Sequence, residues 1–288
     1  MRLLWDWLHP VVRVPYVPTI GPVHPDALSP GLFGDVLRVA GTGAFLLYDK
    51  DQRWAETKDE TVLLDHIEHS STRTLIPTLR SRGSGTLTVY TYGAAADEAA
   101  DLAATLAAGH HASTARVVTF HAPHETPPAD TATTRVQMMS FHHLRPEDAP
   151  GLVRAVTDLP EPIRETFAAF ANRLTSDGFA FLHTQMQAGT VGPVLAATDG
   201  GRVVGAIGPM ETMTDSVGAT RLLPQYFGVL PEHRGHGHGR ALWRAAMAWG
   251  AARCADYQLL QTEIGGASDR LCLAEGLRAL GFVSIAKL

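Results

Sequence analysis

The pattern of apolar and polar residues predicts strands that alternate with helices along the whole chain. In the first half, short apolar stretches bounded by turn residues predict strands, and a long alanine-rich stretch predicts a helix. The predicted strands of this half span residues 36–40, 43–48, 86–92 and 116–121. Residues 61–81 are predicted to form one helix or two short ones, and residues 97–108 another helix. Strands interleaved with helices indicate an α/β or α+β unit.

A polar, proline-rich stretch at residues 122–134 divides the sequence and is interpreted as a linker. After it, the same signals predict strands at 136–141, 194–198, 202–209, 226–229, 258–263 and 282–285, and helices beginning at 145 and spanning 162–175, 240–252 and 268–280. The turn Asp199-Gly200-Gly201 joins the second and third of these strands as a hairpin. The predicted organisation is an accessory domain at 1–121, a linker at 122–134 and a second domain at 135–288.

A glycine-rich turn between the predicted strand at 226–229 and the helix at 240–252 carries the strongest chemical signal. Its core reads Arg234-x-x-Gly237-x-Gly239. A strand, a glycine turn and a helix start together aim several backbone N–H groups at a phosphate, and the glycines let the backbone approach closely. Arginine adds forked charged donors. The candidate binding residues of the turn are Arg234, Gly235, His236, Gly237, His238, Gly239 and Arg240.

The turn is neither a dinucleotide-binding motif nor a nucleotide-triphosphate loop, because both the G-x-G-x-x-G pattern and the Gly-Lys-Ser/Thr ending are missing. It resembles the acyl-coenzyme A pyrophosphate loop of the GCN5-related N-acetyltransferase (GNAT) superfamily, written Arg/Gln-x-x-Gly-x-Gly/Ala. The preceding Val229-x-Pro231 and the ending Leu280-Gly281-Phe282 are also similar to that family. The resemblance covers about residues 135–288 and implies a GNAT fold, a mixed central sheet flanked by helices. The first half is then either a degenerate second copy of the fold or an unrelated accessory domain.

The resemblance implies transfer of an acetyl group from acetyl-coenzyme A to an amine by direct attack in a ternary complex. Phe227 and Val229 share one face of their strand by alternation and are expected to present backbone to the pantetheine arm. The N–H that meets the developing oxyanion is expected at Val229.

The general base is predicted among residues near the ends of the central strands. Glu211 and Glu263 are the leading candidates, followed by Tyr226 and His183, although a carboxylate in such a place is more often simply solvated. Gln225 lies where some family members carry a glutamate as general base. Leu277 lies where many carry a tyrosine that acts as general acid. Leu273, Leu277 and Leu280 instead form an i, i+4, i+7 stripe that predicts a core-facing helix.

The composition limits the classes of binding partner that are expected. The 288 residues are 45% apolar and carry a net charge of −5 without a basic stripe, so a globular protein is expected and nucleic acid is not its predicted partner. We find no signal peptide and no membrane-spanning stretch, which predicts a cytoplasmic protein without a membrane partner. The 14 histidines lack the spacing of a metal site, so no metal is predicted.

The expected acceptor is an amine on a small molecule. The sequence leaves the oligomeric state open, and a homodimer is compatible with it. Two alternatives remain for the function. One is a protein or peptide N-acetyltransferase, and the other is a non-catalytic module that senses acyl-coenzyme A.

Overall fold

The computed structural model describes residues 12–93, 96–141 and 153–288. The helices are α1 (Pro30–Arg38), α2 (Ala96–Gly109), α3 (Glu161–Arg164), α4 (Thr166–Arg173), α5 (Phe179–Gln187), α6 (His238–Ala251) and α7 (Ala267–Ala274). The strands are β1 (Tyr16–Val17), β2 (Gly21–Pro22), β3 (Glu60–Val62), β4 (Glu68–His69), β5 (Arg73–Arg80), β6 (Thr86–Gly93), β7 (Thr114–His121), β8 (Ala132–Ser140), β9 (Val153–Ala155), β10 (Leu195–Asp199), β11 (Arg202–Gly208), β12 (Thr212–Thr214), β13 (Thr220–Leu222), β14 (Tyr226–Val229), β15 (Tyr257–Glu263) and β16 (Arg278–Lys287).

The chain divides into two compact units. The first comprises residues 1–138, 215–217 and 259–288, and the second comprises residues 139–214 and 218–258. The carboxy-terminal strand and helix therefore belong to the first unit, although they follow the second in sequence. The predicted domain boundaries at residues 121 and 135 stay a prediction, because compact units do not show which segments fold independently.

In the first unit, β1 and β2 pair as a small two-stranded sheet, and the other strands form one mixed sheet. Its order is β8–β16–β7–β6–β5–β3, with the end of β15 beside β8 and with β4 also pairing with β5. Strand β16 is antiparallel to both β8 and β7, and β7 is parallel to β6. Helix α2 crosses from β6 to β7 and buries Ala99, Ala103 and Leu106 against Leu87 and Val89. Alanines on this face of the helix allow it to lie close to the sheet.

A buried ionic network joins the end of the chain to this sheet. Asp269 on α7 is 2% exposed and accepts hydrogen bonds from Arg135 Nε (2.9 Å), Gln137 Nε2 (3.0 Å), Thr262 Oγ1 (3.1 Å) and the Gly265 N–H (2.9 Å). Burial alone raises the pKa of this carboxyl, but the hydrogen bonds from Arg135 and the Gly265 N–H outweigh it, and the pKa is lowered.

In the second unit, four antiparallel strands form a sheet in the order β9–β10–β11–β14. Helix α6 covers one face, where a β-carbon at Gly205 would lie only 2.9 Å from Leu242. Helices α4 and α5 cover the other face, where a β-carbon at Gly228 would lie 2.9 Å from both Leu174 and Phe179. Glycines on β11 and on the edge strand β14 thus let helices approach from both sides.

Most predicted elements near the glycine turn are confirmed. The strands at 226–229 and 258–263, the hairpin across Asp199-Gly200-Gly201 and the helix at 240–252 match β14, β15, β10–β11 and α6 within two residues. In the first half, the strands at 86–92 and 116–121 and the helix at 97–108 are also confirmed as β6, β7 and α2. The helix expected to begin at 145 lies outside the described residues.

Predictions of secondary structure are wrong in three segments, residues 61–81, residues 36–48 and the final helix. Residues 61–81 contain no α-helix. Residues 73–80 form β5, because Pro77 and the neighbouring threonines favour an extended backbone, and β5 pairs with β6 over its whole length. Residues 36–40 end helix α1, which Ser29 caps and Pro30 opens, and 43–48 contain no strand.

The final helix is the third error. It ends at Ala274, and Gly276, with φ of +85°, turns the chain into β16. The predicted leucine stripe is therefore not a helix face, and Leu273 is 44% exposed, while Leu277 and Leu280 are buried.

Two features of the described residues bear on the wider expectations. The alternating strands and helices, with mixed sheets flanked by helices, confirm the predicted α/β class. None of the described helices has the length and hydropathy that a membrane span needs.

We predict that Asp269→Asn destabilises the protein by about 3 kcal/mol, because it leaves the Arg135 guanidinium partly buried without its counter-charge. Asp101→Asn, an exposed position on α2, is the matched control and should have almost no effect. Because the pKa of Asp269 is lowered on folding, its stabilisation is present above the unfolded value near ~3.9 and is lost as the pH falls through the folded value. Urea unfolding should show that the free energies of unfolding of the wild type and Asp269→Asn converge as the pH is lowered from 7 to 3. An equal gap at both ends of that range would contradict this assignment.

Candidate functional site

The site begins where the chain leaves one strand partner and pairs with another. Strand β13 pairs in parallel with the first residues of β15, and the ladder ends at the pair Leu222 and Gln258. Pro224 follows, and a proline has no N–H with which to continue a ladder. The chain then resumes as β14 and pairs antiparallel with β11. The Leu223 N–H donates to the Glu211 carbonyl (2.9 Å), which holds the chain at the change of partner.

The outer edge of β14 carries unpaired backbone groups. The Leu230 N–H donates to the Val204 carbonyl (2.9 Å), so alternation turns the N–H and C=O groups of Val229 and Phe227 away from β11. In the described part of the chain, β14 has no strand partner on that side. The Val229 carbonyl accepts from Arg234 Nε (3.1 Å), whereas no acceptor is found there for the N–H groups of Phe227 and Val229.

The glycine turn follows β14 through a short 3₁₀ turn, Pro231–His233. Gly235 and Gly237 have φ of +81° and +86°, and a β-carbon at either position would meet nothing within 4 Å. Gly237 is the N-cap of α6, and none of the residues 235–239 has a backbone acceptor within the described residues. Gly239 lies over Phe227 and Val229, at 3.6 Å and 3.9 Å from a β-carbon built on it. The arrangement is an open turn whose backbone donors lie at a helix start.

An ion pair and a side-chain hydrogen bond to the backbone hold the turn in place. Arg173 on α4 donates a second, parallel hydrogen bond to Glu232 (Nη2–Oε2, 2.9 Å) beside that of its Nη1. The hydrogen bond from Arg173 lowers the pKa of Glu232 to about 2. The other contact is the Arg234 hydrogen bond to the Val229 carbonyl, which ties the turn to the strand that precedes it.

A polar network lies beside the turn. Arg202 Nη2 donates to His233 Nε2 (3.2 Å), so His233 donates through Nδ1 to Asp199 Oδ2 (3.1 Å). His238 follows, with its ring 6.2 Å from that of His233. Asp199, His233 and His238 bring ligand-type atoms within 4.8 Å of one another. The hydrogen bonds account for His233 and Asp199 without an ion, and the sequence predicted neither residue in this role.

The base candidates are separated between the two units. In the second unit, half-buried Glu211 accepts the Gly192 N–H (3.0 Å). Tyr226 packs its ring between Phe179 and Phe181 and over Gly178. Exposed Glu263 lies in the first unit at the end of β15. His183 on α5 packs against Phe167 on α4, at 5.6 Å between ring centroids.

The first unit also contains a strand–helix–strand element, but its strand edge is covered. Strands β6 and β7 pair in parallel through six consecutive residue pairs, from Thr86 with Thr114 to Thr91 with Thr119. The two strands therefore leave no free edge between them comparable with that of β14. Whether this half is a degenerate copy of the other fold stays a prediction.

Comparison with known families bears directly on the glycine turn. Residues 161–266 match the family model described as the acetyltransferase (GNAT) family. The second half of the chain contains a GNAT domain. The matched span includes the strand β14, the turn and the helix α6, so the predicted resemblance to this family is confirmed.

Solved structures of similar fold include several GNAT proteins. A GCN5-related N-acetyltransferase from Sphaerobacter thermophilus shares 15% identity, with 77% of this chain and 81% of that chain covered and a TM-score of 0.47. A tandem GNAT protein from the clavulanic acid biosynthesis pathway shares 13% identity over 89% and 94% of the two chains, with a TM-score of 0.48. A GNAT acetyltransferase from Colwellia psychrerythraea shares 10% identity over 73% and 80%, with a TM-score of 0.45. A comparison with curated proteins gave no match.

The GNAT domain fits the phosphate-bearing acyl-coenzyme A that the family uses. The two positive-φ glycines leave a space that β-carbons would narrow, and the first turn of α6 and the free edge of β14 offer N–H donors. Sequence reasoning missed Gln258, whose side chain reaches Gln225 at the change of strand partner, and also Pro224 as the cause of that change. Pro224 followed by a new apolar run was a usable signal.

We predict that Gly178→Ala destabilises the protein more than Gly235→Ala. Both glycines have φ above +80°, so the strain of about 1–2 kcal/mol is common to both. Only a β-carbon at Gly178 would clash with the Tyr226 ring. Overpacking should add about 1–3 kcal/mol, measured as the free energy of unfolding in urea. Equal losses would show that Tyr226 does not pack there.

Proposed function

We propose that the chain is an acyl-coenzyme A-dependent N-acetyltransferase that transfers an acetyl group to an amine of a small molecule. The observation that carries this proposal is the free edge of β14 leading directly into an open glycine turn at the start of α6. The family match supports acyl transfer, and the residues of the edge and the turn support binding of the donor.

The glycine turn is the proposed binding site for the pyrophosphate of acetyl-coenzyme A. The N–H groups of residues 235–239 supply the donors, and Arg234 and Arg240 supply positive charge. Phe227 and Val229 hold the pantetheine arm through their outward backbone groups. When bound, acetyl-coenzyme A supplies an acyl carbon activated as a thioester.

The oxyanion is best met by a fixed backbone donor on the same edge. Val229 N–H is the predicted donor, and Phe227 N–H lies two residues, roughly 6.6 Å, further from the turn. Because the arm extends from the turn toward the start of β14, Phe227 is a second candidate for contact with the thioester oxygen. A rigid donor stabilises the developing charge without reorganising during the reaction.

The amine must be neutral to attack. A lysine-like amine with a pKa near ~10.4 is only about one part in a thousand neutral at pH 7, so a general base increases the rate. Glu211, Tyr226 and Glu263 are the proposed candidates. Glu211 is half-buried and fixed by the Gly192 N–H, whereas Glu263 is exposed. The carbon–nitrogen bond forms as the carbon–sulfur bond breaks, and coenzyme A leaves as a thiolate whose ordinary pKa near ~8.5 needs no strong acid.

Two other functions follow from the same site. A protein or peptide N-acetyltransferase would use the same donor with a chain as acceptor, and an acyl-coenzyme A sensor would bind without turnover. The absence of a tyrosine at Leu277 favours the sensor over a standard member of the family. Coenzyme A release with panels of small amines and of peptides separates the three functions. Release with small amines alone supports the proposal, release with peptides alone supports the second function, and tight binding without release supports the sensor.

We predict that Arg234→Ala and Gly237→Val each weaken acetyl-coenzyme A binding about 10- to 100-fold. The first removes a charged donor, and the second places a branched side chain in the open space of the turn. Calorimetric titration measures both affinities. Arg253→Ala is the matched control, since Arg253 lies beyond the other end of α6 against Trp249. Unchanged affinity in both variants would remove the turn as the phosphate site.

We predict that replacing the true base by glutamine flattens the limb on which kcat/KM rises with pH and lowers the rate about 100-fold. Glu211→Gln and Glu263→Gln are compared in parallel, each serving as the control for the other. Measurement of kcat/KM from pH 5 to pH 10 decides between them. A variant that keeps the wild-type limb excludes that glutamate as the base.

A further inference from the structure

A chain of two amide side chains lies at the change of strand partner. Gln258 Nε2 donates to Gln225 Oε1 (2.7 Å), and Gln225 Nε2 donates to the Leu223 carbonyl. The Leu223 carbonyl only accepts, so it fixes the direction of both amides, and reversing either one would place two acceptors face to face. Both hydrogen bonds lie within the second unit and involve residues 223, 225 and 258 alone.

The fixed Gln225 amide retains hydrogen-bonding capacity. An amide oxygen has two lone pairs and an amide nitrogen has two hydrogens, and each atom of Gln225 uses one of them in this chain. Gln225 is half-buried, as are the three residues that follow it. One acceptor site and one donor site of this half-buried side chain are thus held in a fixed orientation.

Gln258 is fully buried and its Oε1 has no hydrogen-bond partner. An unpaired buried amide oxygen costs about 1–3 kcal/mol, which an apolar side chain would avoid. Packing alone therefore does not explain a glutamine here. Among the described residues, the amide of Gln258 gains the Nε2 hydrogen bond to Gln225, and that bond orients Gln225.

Gln225 lies at the end of β14 opposite to the phosphate turn, where the acyl group of the donor is expected. The phosphate turn follows the end of β14, whereas Gln225 directly precedes its start. Gln225 is two residues from Phe227, whose N–H is on the free edge, so the acyl group is expected near both. The acceptor amine must approach that group with its N–H bonds directed at acceptors and its lone pair at carbon.

We propose that Gln225 binds the acceptor amine through its side-chain oxygen and that Gln258 is the positioning residue that orients it. This inference rests on the proposed acetyltransferase function. An amide oxygen accepts an N–H of the amine but does not take its proton. Gln225 therefore orients the amine, and the proton leaves to a separate base. A neutral contact of this kind selects for amine geometry rather than for charge.

The test uses the full chain with spermidine and benzylamine as acceptor probes. Gln225→Leu is expected to raise the acceptor KM about 10-fold, because one neutral hydrogen bond is lost, while the dissociation constant of acetyl-coenzyme A stays within about 2-fold. Gln258→Met should shift the acceptor KM in the same direction. Gln137→Met is the matched control, since Gln137 is also fully buried with an unpaired Oε1 but belongs to the Asp269 network of the first unit.

Gln225→Glu supplies a readout that a structural role would not change. A carboxylate in contact with the amine should add an ionisation to the rising limb of kcat/KM against pH. An unchanged pH profile in Gln225→Glu, together with an unchanged acceptor KM in Gln225→Leu, would overturn the inference while leaving the proposed function intact. Binding of acetyl-coenzyme A without transfer to either probe would also overturn it. A wild-type protein that binds no acetyl-coenzyme A would remove the proposed function first, and this inference with it.

Discussion

The chain's change of partner at Pro224 is the constraint on which the site depends. A strand that continued its ladder with β15 would satisfy its own backbone groups and leave nothing for a ligand. Instead, the ladder stops at Leu222 and Gln258, and β14 pairs on one side with β11. The opposite edge then presents the N–H groups of Phe227 and Val229 directly before the glycine turn.

Close packing keeps this half-paired strand in place. Gly228 and Gly205 let helices contact the sheet from both faces, and Gly178 lets the Tyr226 ring lie against the backbone. The Arg173–Glu232 pair and the Arg234 hydrogen bond fix the turn that follows. An edge strand is normally protected from other chains, and here the ligand proposed for it would take that role. The same contacts fix the turn at the start of α6.

Local signals predicted the glycine turn, the strand before it and the helix after it, because turn chemistry and periodicity act over a few residues. They also predicted that Phe227 and Val229 share a face, as their common contact with Gly239 requires. They failed at residues 61–81, where helices were predicted although Pro77 and the threonines favour an extended backbone. They failed again after Ala274, where Gly276 ends the helix early. Long-range pairing could not be read from the sequence. The hydrogen bond between Gln225 and Gln258 joins residues 33 positions apart, and the placement of β16 between β7 and β8 depends on contacts over more than a hundred residues.

The free edge and the glycine turn are tested most directly by hydrogen exchange of individual backbone amides, with and without acetyl-coenzyme A. The account predicts fast exchange at Phe227, Val229 and residues 235–238 in the free protein, and strong protection of these amides in the complex. The paired amides of β6 and β7 should exchange slowly in both states. Protection elsewhere, with exchange at Phe227, Val229 and the turn unchanged, would contradict the assignment of this edge as the binding site for the acyl donor.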